Sequence, residues 1–331
     1  MQTPEFWSRR GLIPTLLAPV AWCYGALAWW RQASSGQGAK APVPVVCIGN
    51  LVAGGAGKTP TAITIARQLS RLGAKSHFLT RGYGGRRAGP HRVDARSDTA
   101  IDVGDEALVL AGHAPVWVAR DRVAGARQAV EAGADIIVMD DGFQNPSLAK
   151  DLSIIVIDGS YGFGNGHLLP AGPLREPVAR GLGRAQAVVI VGEDRYGFGP
   201  ALKNHGLAVL EAAIEPQLEA LVLEGQAVFA FAGIGRPAKF FETLTSLGAH
   251  VVGTKSFADH HRYQPLDVMD LAERASRAGG ELVTTEKDWV RLPDEARLMA
   301  RPVRVNLVFR DPDALDALLK NFVNKTPEQA L

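Results

Sequence analysis

The sequence has 331 residues, of which 47% are hydrophobic, with 36 basic and 34 acidic side chains. Its length allows about two domains with separate cores. The net charge of +2 lacks the strong basic excess of a nucleic-acid-binding protein, so no nucleic-acid partner is expected. Cys23 and Cys47 form no CxxC pair or cluster with histidine, which argues against a zinc site or a disulfide framework.

The N-terminal segment, residues 1–35, is predicted to be a membrane-associated helix. Residues 11–30 carry no charged side chain, a length at the lower limit for crossing a bilayer. Its tryptophan and tyrosine side chains are typical of membrane interfaces, and Pro14 and Pro19 are expected to interrupt the helix. We therefore favour an interfacial anchor over a spanning helix, a buried core helix or a cleaved signal peptide.

Residues 36–222 are predicted to form the nucleotide-binding core. A linker at 34–44 precedes an apolar run at 43–49 of buried-strand length. Further strands are predicted at 75–80, 116–119, 135–139, 153–157 and 187–191, and helices at 58–72, 105–111 and 121–132. Alternating strands and helices indicate an α/β fold with a mostly parallel sheet covered by helices on both faces.

Residues 223–325 are predicted to form a smaller C-terminal α/β domain. Its strands are expected at 228–232, 250–254, 282–284 and 303–308, with a helix at 237–247. A polar tail follows Phe322.

The strongest motif is a glycine-rich loop at residues 54–59, placed between a predicted strand and a predicted helix. Backbone N–H groups of such a loop enclose phosphate oxygens, Lys58 reaches the β- and γ-phosphates, and the Thr59 hydroxyl can bind Mg²⁺. Val52 stands where the usual pattern has glycine, and an ordinary tight turn is the alternative. The predicted nucleotide-binding residues are Ala53, Gly54, Gly55, Ala56, Gly57, Lys58, Thr59 and Pro60.

An acidic strand end supports a nucleotide site. The apolar run at 135–139 leads into Asp140 and Asp141, which would reach the edge of the sheet beside the phosphate loop and could hold Mg²⁺. The guanine-reading pattern N-K-x-D is missing from the sequence, which favours ATP over GTP. Ala53 replaces the lysine that ATPase switches often carry before the paired glycines, which argues against that class.

Several stretches, in this order along the chain, resemble the tetraacyldisaccharide 4'-kinase (lipid A 4'-kinase) family. They run from about residue 5 to about residue 310, and Ala56 is a departure at a position where the family often has threonine or asparagine. The stretches are residues 49–60, Arg81-Gly82-Tyr83-Gly84, Val103-Gly104-Asp105-Glu106, Asp140-Asp141-Gly142-Phe143-Gln144, residues 169–176, residues 233–237, Phe257-Ala258-Asp259-His260 and Thr284-Thr285-Glu286-Lys287-Asp288.

The resemblance implies transfer of the γ-phosphate of ATP, with Mg²⁺, to the 4'-hydroxyl of lipid A disaccharide-1-phosphate. It places the reaction at the cytoplasmic face of the bacterial inner membrane, with the N-terminal helix on the bilayer. The lipid and the membrane surface are therefore the expected partners, and no obligate protein partner is indicated. A soluble small-molecule kinase would not need the N-terminal segment, and a nucleotide switch would not need a proton acceptor.

The resemblance also supplies roles that the motifs leave open. Asp105 is expected to accept the hydroxyl proton, although its position also suits a helix N-cap. His260 is its expected partner, with the adjacent His261 as the alternative. Lys58 completes the expected catalytic set.

The remaining candidates bind the metal or phosphate groups. Arginine can bind phosphate with two hydrogen bonds, but each of these arginines could equally form a surface ion pair. The expected metal group is Thr59, Glu106, Asp140 and Asp141, and the expected substrate-binding residues are Arg81, Arg120 and Arg175.

Overall fold

The computed structural model describes residues 4–9, 11–33, 36 and 38–323. The strands are β1 Val45–Gly49, β2 Ser76–Thr80, β3 His91–Arg92, β4 Val116–Val118, β5 Ile136–Asp140, β6 Leu152–Asp158, β7 Ala187–Val191, β8 Ala208–Pro216, β9 Ala227–Ala232, β10 His250–Ser256, β11 Glu281–Thr285, β12 Arg301–Val303 and β13 Val305–Phe309. The α-helices are α1 Leu12–Ala33, α2 Lys58–Arg71, α3 Ala100–Val103, α4 Asp105–Ala111, α5 Arg122–Glu131, α6 Val178–Leu182, α7 Phe198–Asn204, α8 Pro237–Ser246, α9 Pro265–Arg277, α10 Glu286–Trp289, α11 Asp294–Arg297 and α12 Pro312–Val323.

The larger sheet has nine strands in the order β13-β8-β7-β6-β1-β5-β2-β4-β3. The strands from β8 to β4 are parallel, and only the edge strands β13 and β3 pair antiparallel. The central strands are buried along their whole length because one face packs against α2, α4 and α12 and the other against α5, α6 and α7. The predicted α/β arrangement is therefore confirmed.

The smaller sheet has four parallel strands in the order β10-β9-β11-β12. One face packs against Phe240 and Leu244 of α8. The other face packs against Val268 and Leu271 of α9. We call the part of the chain built on this sheet, residues 227–303, the small unit, and the part built on the larger sheet the large unit.

The chain divides between the sheets differently from the sequence prediction. The strand expected at 303–308 is two strands, because β12 ends at Val303 in the smaller sheet and β13 begins at Val305 on the edge of the larger one. Leu315 and Leu319 of α12 then join the core of the large unit. The chain thus returns to the large unit after residue 303, whereas the sequence predicts that all of residues 223–325 belong to the smaller domain. Strand β8 was also missed.

The N-terminal helix α1 is continuous from Leu12 to Ala33, so the predicted interruption by proline is wrong. Pro14 lies in the first turn, where a helix leaves the backbone N–H groups without partners anyway. Pro19 lies inside the helix and does not end it. Residues 12–30 are the one stretch within the described ranges that is long and apolar enough to cross a membrane.

Most of α1 is exposed, which argues against a buried core helix. The side chains of Leu16 and Trp22 are both 77% exposed. The segment before α1 contacts the large unit, because Trp7 of the 3₁₀ turn Glu5–Ser8 donates its indole N–H to the carbonyl oxygen of Pro170 at 3.1 Å. The predicted linker lies partly outside the described residues, and the predicted tail lies almost entirely outside them.

Replacing Phe78 with alanine is expected to lower the free energy of unfolding by about 3–5 kcal/mol, because this fully buried β2 side chain would leave a cavity in the core of the large unit. The thermal unfolding midpoint, followed by circular dichroism, measures the effect. Leu298→Ala is the matched control, since Leu298 is 94% exposed. Equal midpoints for the two variants would contradict the assigned core.

Candidate active site

The phosphate loop joins β1 to α2, as the motif predicts. Gly54 and Gly57 have φ angles of +112° and +88°, which a glycine adopts without strain. Gly57 is the N-cap of α2, so the free N–H groups of the helix point toward the loop. Lys58 opens the helix and is only 8% exposed. The loop therefore has the geometry of an anion-binding site.

The end of β5 brings two carboxylates beside this loop. Because β5 pairs with β1, Asp140 lies next to Ile48, just before the loop. The Thr59 hydroxyl donates to Asp140 Oδ2 at 3.2 Å, whereas Asp140 Oδ1 is buried without a hydrogen-bond partner. Lys58 Nζ lies 3.8 Å from Asp141 Oδ1.

The acidic group fits a divalent cation. Burial, together with the nearby charges of Glu106 and Asp141, raises the pKa of Asp140 to about 7, and a cation would relieve that repulsion. Within the described ranges, no three carboxylate, histidine or cysteine side chains form a complete metal cage by themselves. Asp140 and Thr59 would therefore hold a Mg²⁺ ion together with the phosphate groups of a bound nucleotide.

Asp105 and His260 lie together although they are far apart in sequence. Asp105 begins α4 and is 3% exposed, and His260 Nδ1 is 2.9 Å from its Oδ2. Gly104, not Asp105, is the N-cap of α4. The expected pair therefore forms with His260, while His261 stacks against Phe257.

Charge keeps Asp105 ionised. Burial acts to raise the pKa of Asp105, but Lys287, His260 and Arg291 outweigh that effect and lower it to about 2. The carboxylate therefore accepts a hydrogen bond from His260 Nδ1, which leaves Nε2 free of this bond. His260 has a φ of +57°, a strained conformation that occurs mostly where the surroundings fix it.

The three arginines predicted to bind substrate lie in different places in the structure. Arg175 lines the central cleft and donates to Asp141 Oδ1 at 2.8 Å. Arg81 and Arg120 are exposed and do not line this cleft. The buried arginine of this region is Arg122, which the sequence analysis did not single out and which donates to the carbonyl oxygen of Ala119.

A cleft of about 1580 Å³ between the two units is lined by the phosphate loop and by Asp105, Glu106, Asp141, Arg175 and His260, whereas Asp140 is not among its lining residues. This volume exceeds the roughly 300–1000 Å³ of most small-molecule sites, so it can hold more than a nucleotide. Charged side chains join the units across it. Lys287 Nζ lies 2.8 Å from Glu106 Oε1, and Lys239 Nζ lies 3.0 Å from Asp158 Oδ2. Arg236 donates to Asp158 and to the carbonyl oxygen of Gly55 in the phosphate loop.

A family model described as LpxK, tetraacyldisaccharide-1-P 4'-kinase, matches residues 13–324. The chain belongs to this family. A tetraacyldisaccharide 4'-kinase of Rhodospirillum centenum is 51% identical over 325 residues, which cover 96% of each protein. The corresponding kinase of Rhodospirillum rubrum is 49% identical over 326 residues, which cover 98% of each.

A solved structure of the same family supports the fold. The crystal structure of LpxK from Aquifex aeolicus in complex with ATP is similar to this chain with a TM-score of 0.75 and 25% sequence identity. The match covers 94% of this chain and 100% of that one. The family resemblance therefore extends over both units and the exposed helix α1.

Proposed function

We propose that this chain is an ATP-dependent kinase that phosphorylates the 4'-hydroxyl of tetraacyldisaccharide 1-phosphate in lipid A biosynthesis. One observation carries the proposal: a phosphate loop and a partly buried acid–histidine pair face the same cleft. The loop belongs to the large unit, and His260 comes from the small unit. A protein that only binds nucleotide as a switch would need the loop but not the pair.

Phosphoryl transfer depends mainly on positioning and charge neutralisation. The loop would hold the β- and γ-phosphates of ATP, and Lys58 would neutralise charge that develops on the transferred group. Thr59 and Asp140 would hold Mg²⁺, and the nearby charges of Glu106 and Asp141 would favour a cation there. A Mg²⁺ ion held there would supply positive charge that neutralises the phosphate groups.

The acid–histidine pair would take the proton of the attacking hydroxyl. Asp105 is ionised, as a proton acceptor requires, and His260 orients its carboxylate. Arg175 is positioned for a phosphate group in the cleft. Arg81 and Arg120 remain proposed phosphate contacts, for which the bound lipid would have to extend beyond the cleft.

The lipid that accepts the phosphate explains why helix α1 is exposed. A tetraacylated lipid leaves the bilayer only at a cost of about 0.8 kcal/mol for each buried CH₂ group, so its kinase has to work at the membrane. Because ATP is cytosolic, the cytoplasmic face of the inner membrane is the proposed site of action. The apolar exposed side chains of α1 would lie in that interface, with Trp22, Trp29 and Trp30 at the headgroup level.

A triple variant in which asparagine replaces Leu16, Trp22 and Leu27 of α1 is expected to bind phospholipid vesicles at least about 10²-fold more weakly. Each of these apolar side chains contributes about 1.5–3 kcal/mol when it is buried. Co-sedimentation with vesicles measures the partitioning. The matched control replaces Leu218, Val222 and Leu298, which are exposed on other elements. Equal loss in both variants would contradict α1 as the membrane contact.

The proposed function is tested by the mass of the product. The purified chain, ATP, Mg²⁺ and tetraacyldisaccharide 1-phosphate in detergent micelles should yield a lipid heavier by one phosphoryl group. The same lipid lacking its 4'-hydroxyl should yield none. Phosphorylation of the deoxy lipid would overturn the assigned position, and phosphorylation of water-soluble sugars alone would favour a soluble-substrate kinase.

A further inference from the structure

Arg291 is a buried cation between the two units that the sequence analysis did not single out. Its side chain, two residues beyond α10, is 5% exposed. Its Nε lies 3.3 Å from Asp105 Oδ2, the oxygen that also faces His260. The guanidinium therefore reaches from the small unit to the proposed proton acceptor on the large unit.

The same guanidinium holds the loop that carries His260. Arg291 Nη2 donates to the carbonyl oxygen of Gly233 at 2.9 Å, and Nη1 donates to that of His261 at 3.2 Å. The Gly233 oxygen also accepts the backbone N–H of His260 at 3.1 Å. Since His260 adopts a left-handed φ of +57°, these bonds fix a conformation that the loop would otherwise leave.

A second buried residue, Asp288, fixes Arg291 in turn. Asp288 is fully buried, and its Oδ1 lies 2.8 Å from Arg291 Nη2. The same oxygen accepts hydrogen bonds from the Tyr263 hydroxyl at 2.6 Å and from the backbone N–H of Gly233 at 2.8 Å. The planar guanidinium thus has one defined orientation, which a lysine side chain could not reproduce.

We propose that Arg291 is a positioning residue for phosphoryl transfer, which aligns the Asp105 carboxylate and the His260 loop across the two units. The inference rests on the proposed kinase function. Arg291 acts through Asp105 and through the backbone of the His260 loop. The nucleotide is bound by the phosphate loop and not by Arg291. If Arg291 only stabilised the small unit, its replacement would lower the stability of the fold, and any effect on turnover would not depend on Asp105.

The test is a double-mutant cycle with Arg291→Met and Asp105→Asn, measured as phosphoryl transfer to the lipid. Arg291→Met is expected to lower kcat at least about 10-fold, with the KM for ATP changed by less than about 3-fold. In the Asp105→Asn protein the same substitution should lower kcat by less than about 3-fold, because both residues act through one step. Arg291→Lys should retain only part of the wild-type kcat, since lysine keeps the positive charge but lacks the planar set of hydrogen-bond donors of the guanidinium group.

Arg277→Met is the matched control, because Arg277 is 73% exposed and pairs with Glu273 in its own helix. Thermal unfolding confirms that each variant is folded. If Arg291→Met does not fold, Arg291→Gln replaces it in the cycle, since an amide still donates to the loop carbonyls.

Equal losses of kcat with and without Asp105, or a rise in the KM for ATP that accounts for the whole effect, would overturn the positioning role. Complete recovery by Arg291→Lys would also overturn it. A wild-type protein that binds ATP but transfers no phosphate to the lipid would overturn the proposed function itself, and this inference with it.

Discussion

Replacing Asp105 with asparagine is expected to lower kcat by about 10²–10⁴-fold, the usual contribution of a positioned acid–base group. Asparagine keeps the size of the side chain but cannot take up a proton. It also removes the negative charge that His260 Nδ1 and Arg291 Nε face. The KM for ATP should change little, because Asp105 does not belong to the phosphate loop. Steady-state transfer to the lipid at saturating ATP measures the effect.

The matched control for Asp105→Asn is Asp270→Asn on α9. Asp270 is 55% exposed and pairs with Arg274 on the same helix, so its loss should leave kcat and folding unchanged. Thermal unfolding separates a catalytic loss from an unfolded variant, because Asp105 is buried beside several cations. A folded Asp105→Asn protein with nearly full kcat would show that the proton is taken by another group.

Replacing Lys58 with methionine is expected to lower kcat by about 10²–10³-fold, as the loss of one group that stabilises transition-state charge does in other enzymes. Methionine fills similar space without the ammonium group. Lys58 is buried at the beginning of α2 and lies 3.8 Å from Asp141 Oδ1, so its charge is already fixed beside the phosphate site. ATP affinity should also fall, which equilibrium binding of ATP measures separately from turnover.

Lys320→Met is the matched control for Lys58, since Lys320 lies exposed in the last turn of α12, away from the cleft. Its substitution should leave turnover and ATP binding unchanged. Normal ATP affinity and turnover in folded Lys58→Met would contradict the assignment of residues 54–59 as the phosphate loop.

Local patterns predict six strands of the large unit, β1, β2 and β4–β7, and its helices α2, α4 and α5. The helix expected at 105–111 and the strand expected at 187–191 have the observed bounds, and the other predicted elements of that unit differ by one or two residues at one or both ends. These segments have uninterrupted apolar runs or helical periodicity, which reflect burial on two faces or one. The phosphate loop was equally clear, because its glycines need special backbone angles.

The later part of the chain was harder to predict because its organisation depends on long-range pairing. Arg304 separates β12 from β13, and nothing in the local sequence says that these strands join different sheets. The strand β8 contains Glu211 and Glu215, which interrupt its apolar residues and hide it from a search for apolar runs. The continuous α1 accommodates Pro14 in its first turn, where proline is tolerated, and also Pro19 in its interior.

The site was predictable only in part, for the same reason. The phosphate loop and Asp140 follow from patterns of neighbouring residues, whereas the pairing of Asp105 with His260 came from the family resemblance. Arg291 and Lys287 meet Asp105 and Glu106 only in the folded chain. Arg120 is a candidate from sequence because arginine can bind phosphate with two hydrogen bonds, but it does not line the cleft.

The most direct test of the account compares ADP production with lipid phosphorylation by the purified protein. With ATP labelled at the γ-phosphate, Mg²⁺ and tetraacyldisaccharide 1-phosphate in micelles, we expect one labelled lipid for each ADP formed. Without the lipid, ADP formation should be negligible, because no attacking hydroxyl reaches the Asp105–His260 pair. Rapid ADP formation without lipid, or no labelled lipid from folded protein that binds ATP, would contradict the proposed kinase.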